Sequence, residues 1–237
     1  MAKVTGVLFD KDGTLLNFNQ TWGPTYQAAA YSLSGKNHKL TKQMLNDSGL
    51  KKDGLSFVSG SVLAAGTNDE IAEFWQKYLP AYSKSALLTE LNNLLESGAL
   101  TNLIEITDTE NFFNRLSARS LKLGVATNDS ESSAIQTMDN LLGTAQVDFI
   151  AGCDSGYGGK PEPGMFIAFC ETLDLNPSEV IVVGDNPYDM EMGKLGGAGH
   201  LVGVLSGNSE FDDLSANADY IIQDITFLEK LLDDKII

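Results

Sequence analysis

The chain has 237 residues, 43% of them hydrophobic, with 32 acidic against 16 basic side chains and a formal net charge of −16. That length suits a core domain with an insertion, and the charge argues against nucleic acid or an anionic membrane as partner. No stretch approaches the roughly 18 to 20 apolar residues of a membrane span. Met1-Ala2-Lys3 leads straight into the first strand with no cleavable leader, and Cys153 and Cys170 are too few for a disulfide framework, so a cytoplasmic protein is expected.

The first predicted element is a strand over residues 3–9, an apolar run that delivers Asp10, Asp12 and Gly13 into a turn. Residues 19–100 then read mostly as helix. An alanine-rich segment covers 25–33. Thr41 is placed as the N-cap of a short helix ending near Gly49, and Thr67 or Asn68 as the cap of a helix through 69–75 whose early acids suit its N-terminus. The Gly- and Ser-rich segment 54–66 reads as a loop or a short helical turn. Residues 83–96 carry Leu87, Leu91, Leu94 and Leu95 at helical spacing, with Gly98 as the expected stop.

From about Asp108 helices and strands alternate. Helices are predicted over 110–119, 130–142, 163–173, 187–195 and 225–232, and strands over 121–127, 147–151, 180–184, 201–205 and 220–222. This alternation predicts right-handed crossovers and a parallel sheet. The fold class is therefore α/β: a Rossmann-like parallel-sheet core of residues 1–18 and 101–237, with a helical domain, 19–100, inserted after the first strand. Trp22, Trp75 and the phenylalanines are read as packing residues, and Cys170 as buried.

Four features recur at predicted strand ends: Asp10 with Asp12, Thr127-Asn128-Asp129, Lys160-Pro161, and Asp185 with Asp189. Ligands of open parallel sheets bind beyond the carboxyl ends of the strands, so these groups can converge from across the chain. Three of the four have a plainer reading. Asp-x-Asp-Gly can be an ordinary turn; Thr127-Asn128-Asp129 and Asp185-Asn186-Pro187 can be helix caps. The run Gly158-Gly159-Lys160-Pro161 is no nucleotide loop, because position 154 is Asp and Pro161 stands where Ser or Thr is needed. His38 and His200 are isolated and carry no assigned role. Chemically, a carboxylate can attack phosphorus, a hard cation held by oxygens can offset the repulsion, and a lysine can neutralise the transferring group.

In this order the motifs resemble those of the haloacid dehalogenase (HAD) superfamily, and the loop Gly156–Met165 is similar to that of its phosphoglycolate phosphatase group. The resemblance covers nearly the whole chain. It implies a Mg²⁺-dependent phosphatase acting on a small phosphorylated metabolite, 2-phosphoglycolate first, through an aspartyl phosphate. Asp10 would be nucleophile and metal ligand, and Asp12 general acid/base, lending its backbone carbonyl to the metal. Thr127, Asn128 and Lys160 would hold the phosphoryl group, with Lys160 also neutralising charge near Asp10. Asp185 would complete the metal site, and Asp189 would support it or orient Lys160. The insertion would be a cap that excludes water and reads the leaving group, with Lys51, Lys52 and the 59–61 loop as candidates to meet a second anionic group. The protein would be a monomer or homodimer. A β-phosphoglucomutase-like mutase shares these motifs and stays open as an alternative. Dehalogenation is disfavoured by Asp12, and a non-catalytic binding protein by the retained nucleophile and lysine.

Overall fold

The computed structural model describes residues 3–58, 60–143 and 145–234, so Ser59 of the 59–61 loop lies outside the described residues. The chain divides into two compact units, Met1–Asn17 with Glu105–Ile237, and Phe18–Ile104.

The first unit is built on six parallel strands: β1 (Gly6–Phe9), β2 (Lys122–Ala126), β3 (Phe149–Ala151), β4 (Val180–Gly184), β5 (His200–Val204) and β6 (Tyr220–Ile222). Their order is β3-β2-β1-β4-β5-β6, so β1 is flanked by β2 and β4 and the order reverses there. Leu8 pairs with Gly124 on one side and Val182 on the other. Strands β1 and β4 are buried along their whole length, as the unbroken runs GVLF and VIVVG require of strands covered on both faces. Strand β1 is shorter than the predicted 3–9. Thr5 nonetheless continues the ladder, its N–H donating to Glu179 O and its carbonyl accepting from Lys122 N.

The second unit holds α1 (Phe18–Leu33), α2 (His38–Asp47), α3 (Val62–Ala65), α4 (Asn68–Gln76) and α5 (Lys84–Thr101) around a core that includes Trp22, Met44, Phe57, Trp75, Leu87 and Leu91. Helix α1 starts seven residues before the alanine-rich segment and continues through Pro24, because Trp22, Tyr26, Ala29, Ala30 and Leu33 share one buried face. Two expected boundaries move. The N-cap of α2 is Asn37, whose side chain accepts from Leu40 N at 3.1 Å, while Thr41 sits inside the helix and donates its hydroxyl to Asn37 O at 2.9 Å. Gly98 does not stop α5. It lets α5 approach α1: a Cβ there would lie 2.8 Å from Thr25 Cγ2. Thr67 caps α4 reciprocally with Glu70.

The remaining helices belong to the first unit: α6 (Thr109–Ser117), α7 (Glu131–Leu142), α8 (Gly164–Thr172), α9 (Pro187–Gly196), α10 (Phe211–Leu214) and α11 (Leu228–Asp233). The sequence carries no periodicity that marks the four-residue α10. Phe166, Phe169, Val182 and Met190 meet in the core of this first unit, with Cys170 buried beside them. Among the described residues no helix is long and apolar enough to cross a membrane.

Candidate active site

Strands β1, β2 and β4 end side by side, and each releases a polar segment at its carboxyl end. Asp10 follows β1 directly, its N–H donating to Val183 O at 2.8 Å, so the nucleophile candidate is pinned to β4 by the ladder itself. The chain then turns at Gly13 (φ +95°), a left-handed conformation that favours glycine. A Cβ on Gly13 would fall 2.6 Å from Asp185 Cγ. The glycine of the first motif is thus required twice, by the turn and by the approach of Asp185.

Lys160 reaches this point from the loop before α8. Its ammonium lies 2.5 Å from Asp10 Oδ1 and 2.6 Å from Asp189 Oδ1. Asn128 sets the lysine's backbone: its Oδ1 accepts from Lys160 N at 2.7 Å and its Nδ2 donates to Lys160 O at 3.2 Å. Asp189 is held on its other oxygen by Asn186 N at 3.0 Å, within the reciprocal cap of α9, so a helix cap and a lysine-orienting group are one residue. Thr127 closes β2, its N–H donating to Ala151 O at 3.0 Å and its hydroxyl accepting from Asp129 N at 3.1 Å.

Asp10, Asp185 and Asp189 bring carboxylate oxygens within 4.8 Å of one another. Burial pushes Asp10 up to about 6, against the pull of Lys160 and with a further push from Asp189. Burial, then Asp10 and Asp189, also hold Asp185 well above the usual carboxylate range, against the Asn208 N–H and Lys160. Burial alone would lower Lys160, but Asp10 and Asp189 together keep it above the ordinary lysine range. Three buried carboxylates thus stand around one ammonium, and burial first, then repulsion between carboxylates, raises Asp10 and Asp185. An all-oxygen set with uncompensated charge fits a hard divalent cation.

Two contributors carried no recognised sequence signal. The loop after β5 wraps the site: Asn208 N donates to Asp185 Oδ2 at 2.9 Å and Ser206 Oγ to Gly13 O at 2.7 Å. A Cβ on Gly207 would meet Asp185 Oδ2 at 1.8 Å, so backbone there packs onto the carboxylate. Lys11, fully buried between the two motif aspartates, is the second. Its ammonium lies 2.9 Å from Asp12 Oδ2 and 2.8 Å from Asp129 Oδ2. Burial would lower it, but these two carboxylates hold it above the ordinary range. Asp12 is therefore directed to Lys11, outside the cluster of three carboxylates.

Comparison with known proteins agrees with this geometry. The family model of haloacid dehalogenase-like hydrolases matches residues 4–197. An N-acetylmuramic acid 6-phosphate phosphatase from Pseudomonas putida is 26% identical over 98% of this chain and 97% of its own. A phosphoglycolate phosphatase from Aquifex aeolicus is 24% identical over 98% of both chains. Among solved structures, a hydrolase from Pseudomonas syringae superposes with a TM-score of 0.68 at 19% identity, covering 98% of each chain. A β-phosphoglucomutase from Clostridium difficile gives 0.62 at 18% identity over 98% of this chain and 99% of its own. With the four motif segments gathered at the carboxyl ends of a parallel sheet, and a family model spanning them, the chain belongs to the haloacid dehalogenase-like hydrolase family, among relatives that are named phosphatases.

Proposed function

We propose that this protein is a phosphatase that hydrolyses a small phosphorylated metabolite through an aspartyl phosphate on Asp10, with Mg²⁺ as its cation. The observation that carries this reading is the buried Asp10 carboxylate 2.5 Å from the Lys160 ammonium, with Asp185 and Asp189 beside it. Asp10 Oδ attacks phosphorus as the bond to the leaving oxygen breaks, which splits one difficult displacement into two easier ones. Asp12 gives its proton to the leaving oxygen and later takes one from the water that hydrolyses the intermediate.

Lys160 neutralises the charge that gathers on the transferring group, and Asp189 keeps it aimed there. The Thr127 hydroxyl already accepts from Asp129 N, so its own proton is directed to a phosphoryl oxygen. Asn128 works chiefly through the backbone of Lys160, which both ends of its amide hold. Asp10, Asp185 and the backbone carbonyl of Asp12 would hold Mg²⁺, which when bound offsets the repulsion between carboxylate and phosphate. Asn208 fixes one oxygen of Asp185 and leaves the other for this role.

Two relatives matched over nearly their full length are named for phosphoglycolate and for N-acetylmuramic acid 6-phosphate. 2-Phosphoglycolate is therefore the first substrate to try. The test is phosphate release from a panel of phosphorylated acids and sugars, with Mg²⁺ and with EDTA, beside Asp10→Asn. Release that needs the cation and is lost in the variant is expected. No release from any ester overturns the reading.

A further inference from the structure

Lys11 is an unusual residue to bury. Its side chain is wholly enclosed, and taking an ammonium out of water costs several kcal/mol unless well-placed partners compensate. An aliphatic side chain would fill the same space between the motif aspartates at no such penalty. What the ammonium adds is a connection. Asp129 is anchored from three sides: Ser133 Oγ donates to Oδ2 at 2.7 Å, Ser130 N to Oδ1 at 2.8 Å, and Lys11 Nζ to Oδ2 at 2.8 Å. Ser130 caps α7 and Ser133 lies in its first turn, so Asp129 is fastened to the start of a helix. Lys11 passes that fixed point on to Asp12 Oδ2 at 2.9 Å.

We propose that Lys11, anchored by Asp129, is a positioning residue for proton transfer by Asp12. The proposal rests on the reading of Asp12 as general acid/base. Asp12 stands in a turn rather than in the sheet, and its carboxylate is the more exposed of the two that Lys11 touches (12% against 7%). A carboxylate so placed has two side-chain torsions to lose before it can meet a leaving oxygen, and catalytic geometry tolerates about half an ångström of error. The ammonium removes that freedom. In the step itself the Asp10 oxygen–phosphorus bond forms, the bond from phosphorus to the leaving oxygen breaks, and the proton on Asp12 passes to that oxygen. The carboxylate left on Asp12 faces the Lys11 ammonium. In the second step the same carboxylate takes the proton of water as the aspartyl phosphate is cleaved, so charge and protons return to their starting arrangement.

A purely structural role for Lys11 would be to compensate the buried Asp129. The double variant Lys11→Met/Asp129→Leu separates the two, since it removes both charges together and replaces them with apolar groups of similar volume, a change that is often neutral or stabilising. We would measure KM and, by rapid mixing, the rate of leaving-group release in the first turnover, which isolates the step that precedes attack by water, for p-nitrophenyl phosphate, whose leaving group departs without a proton, and for an alkyl phosphate, whose leaving group needs one. The double variant should lose this first-turnover rate on the alkyl ester by about 10²-fold, the lower end of what general acid catalysis contributes. Its first-turnover rate on the nitrophenyl ester and both KM values should stay within a few-fold. Near wild-type first-turnover rates on both esters, or equal losses on both, overturn the proposal. Asp12→Asn is run alongside. If it shows the alkyl-selective loss and the double variant does not, only the role of Lys11 falls; if it shows no selectivity, the reading of Asp12 falls and takes this proposal with it. Should the double variant not fold, Asp129→Asn, which keeps the ammonium and removes its anchor, is read by the same two ratios.

Discussion

The Lys160 ammonium stands 2.5 Å from Asp10 Oδ1 although 150 positions separate the two residues in the chain. The contact needs β1 and β4 adjacent, the 156–160 loop folded over their ends, and Asn128 holding the lysine's backbone on both sides. Nucleophile candidate and countercharge are thus brought together by sheet order.

Asp10→Asn keeps the shape of the side chain but replaces a carboxylate oxygen that should attack phosphorus. Loss of kcat by on the order of 10³-fold or more is expected, with the circular dichroism spectrum unchanged. Turnover near wild type would overturn the mechanism.

Asp12→Ala should slow the first-turnover release of the leaving group by about 10²-fold or more on an ester with a poor leaving group and far less on one with a good leaving group. The check is the dependence of that first-turnover rate on leaving-group acidity, which should be steeper in the variant than in the wild type.

Gly207→Ala places a methyl group where Asp185 Oδ2 now lies, 1.8 Å from the new Cβ. Either the carboxylate or the loop must move, and the Asn208 N–H bond to it is lost or lengthened. Changes in the groups that orient metal ligands typically weaken affinity by about 10- to 100-fold. The Mg²⁺ concentration for half-maximal activity should rise by that order, and an unchanged Mg²⁺ titration would contradict the assignment of Asp185.

The raised Asp10 carboxyl makes a prediction about stability. In the folded protein it is pushed up to about 6 by burial, whereas in the unfolded chain it titrates at about 3.9. Between these values the native state binds more protons, so stability falls as pH rises through that window. Asp185 acts in the same sense. Burial would raise Asp129 too, but Lys11 and Ser133 hold it below the usual range, so it loses its stabilising charge only under more acid conditions. In EDTA the Tm should be higher near about pH 5 than near about pH 7.5, and Mg²⁺ should raise Tm more at the higher pH. Thermal melts in a pH series, with and without the cation, provide the comparison.

Thiol labelling tests the packing of α8. Cys170 is 4% exposed, and burial followed by Glu171 pushes its thiol up to about 11, so its reactive thiolate is scarce at pH 8. Cys153 is half-buried. A disulfide reagent at pH 8 should therefore titrate one thiol quickly in the native protein and both in denaturant. Rapid labelling of both in the native state would show that α8 is not packed as described.

Much of the fold was legible in the chain. Strands β4 and β6 fall at their predicted bounds, because an apolar run bounded by polar turns has few other ways to be satisfied. Boundaries set by one competing side chain were less legible. Asn37 displaces Thr41 as the cap of α2 because it stands four residues earlier with an equally short acceptor. Gly98 reads as a stop, yet α5 runs through it and a Cβ there would lie 2.8 Å from Thr25 Cγ2 of α1.

The candidate site divides along the same line. The sequence by itself determined which groups are on offer: two acids and a glycine after an apolar strand, a threonine and a lysine at later strand ends, and a pair of aspartates after β4, the acids and the threonine each readable also as a turn or a helix cap. Only the tertiary structure decided which of them meet. Sheet order placed Asp10 between β2 and β4 and so within reach of Lys160, Asp185 and Asp189. It also decided the partners of Lys11, Asp129 and the 206–208 loop, whose residue types suit any surface turn. A lysine in a sequence carries no mark of being buried. Its meaning comes from the two carboxylates that fold around it, 2.8 and 2.9 Å away, one of them 118 positions along the chain.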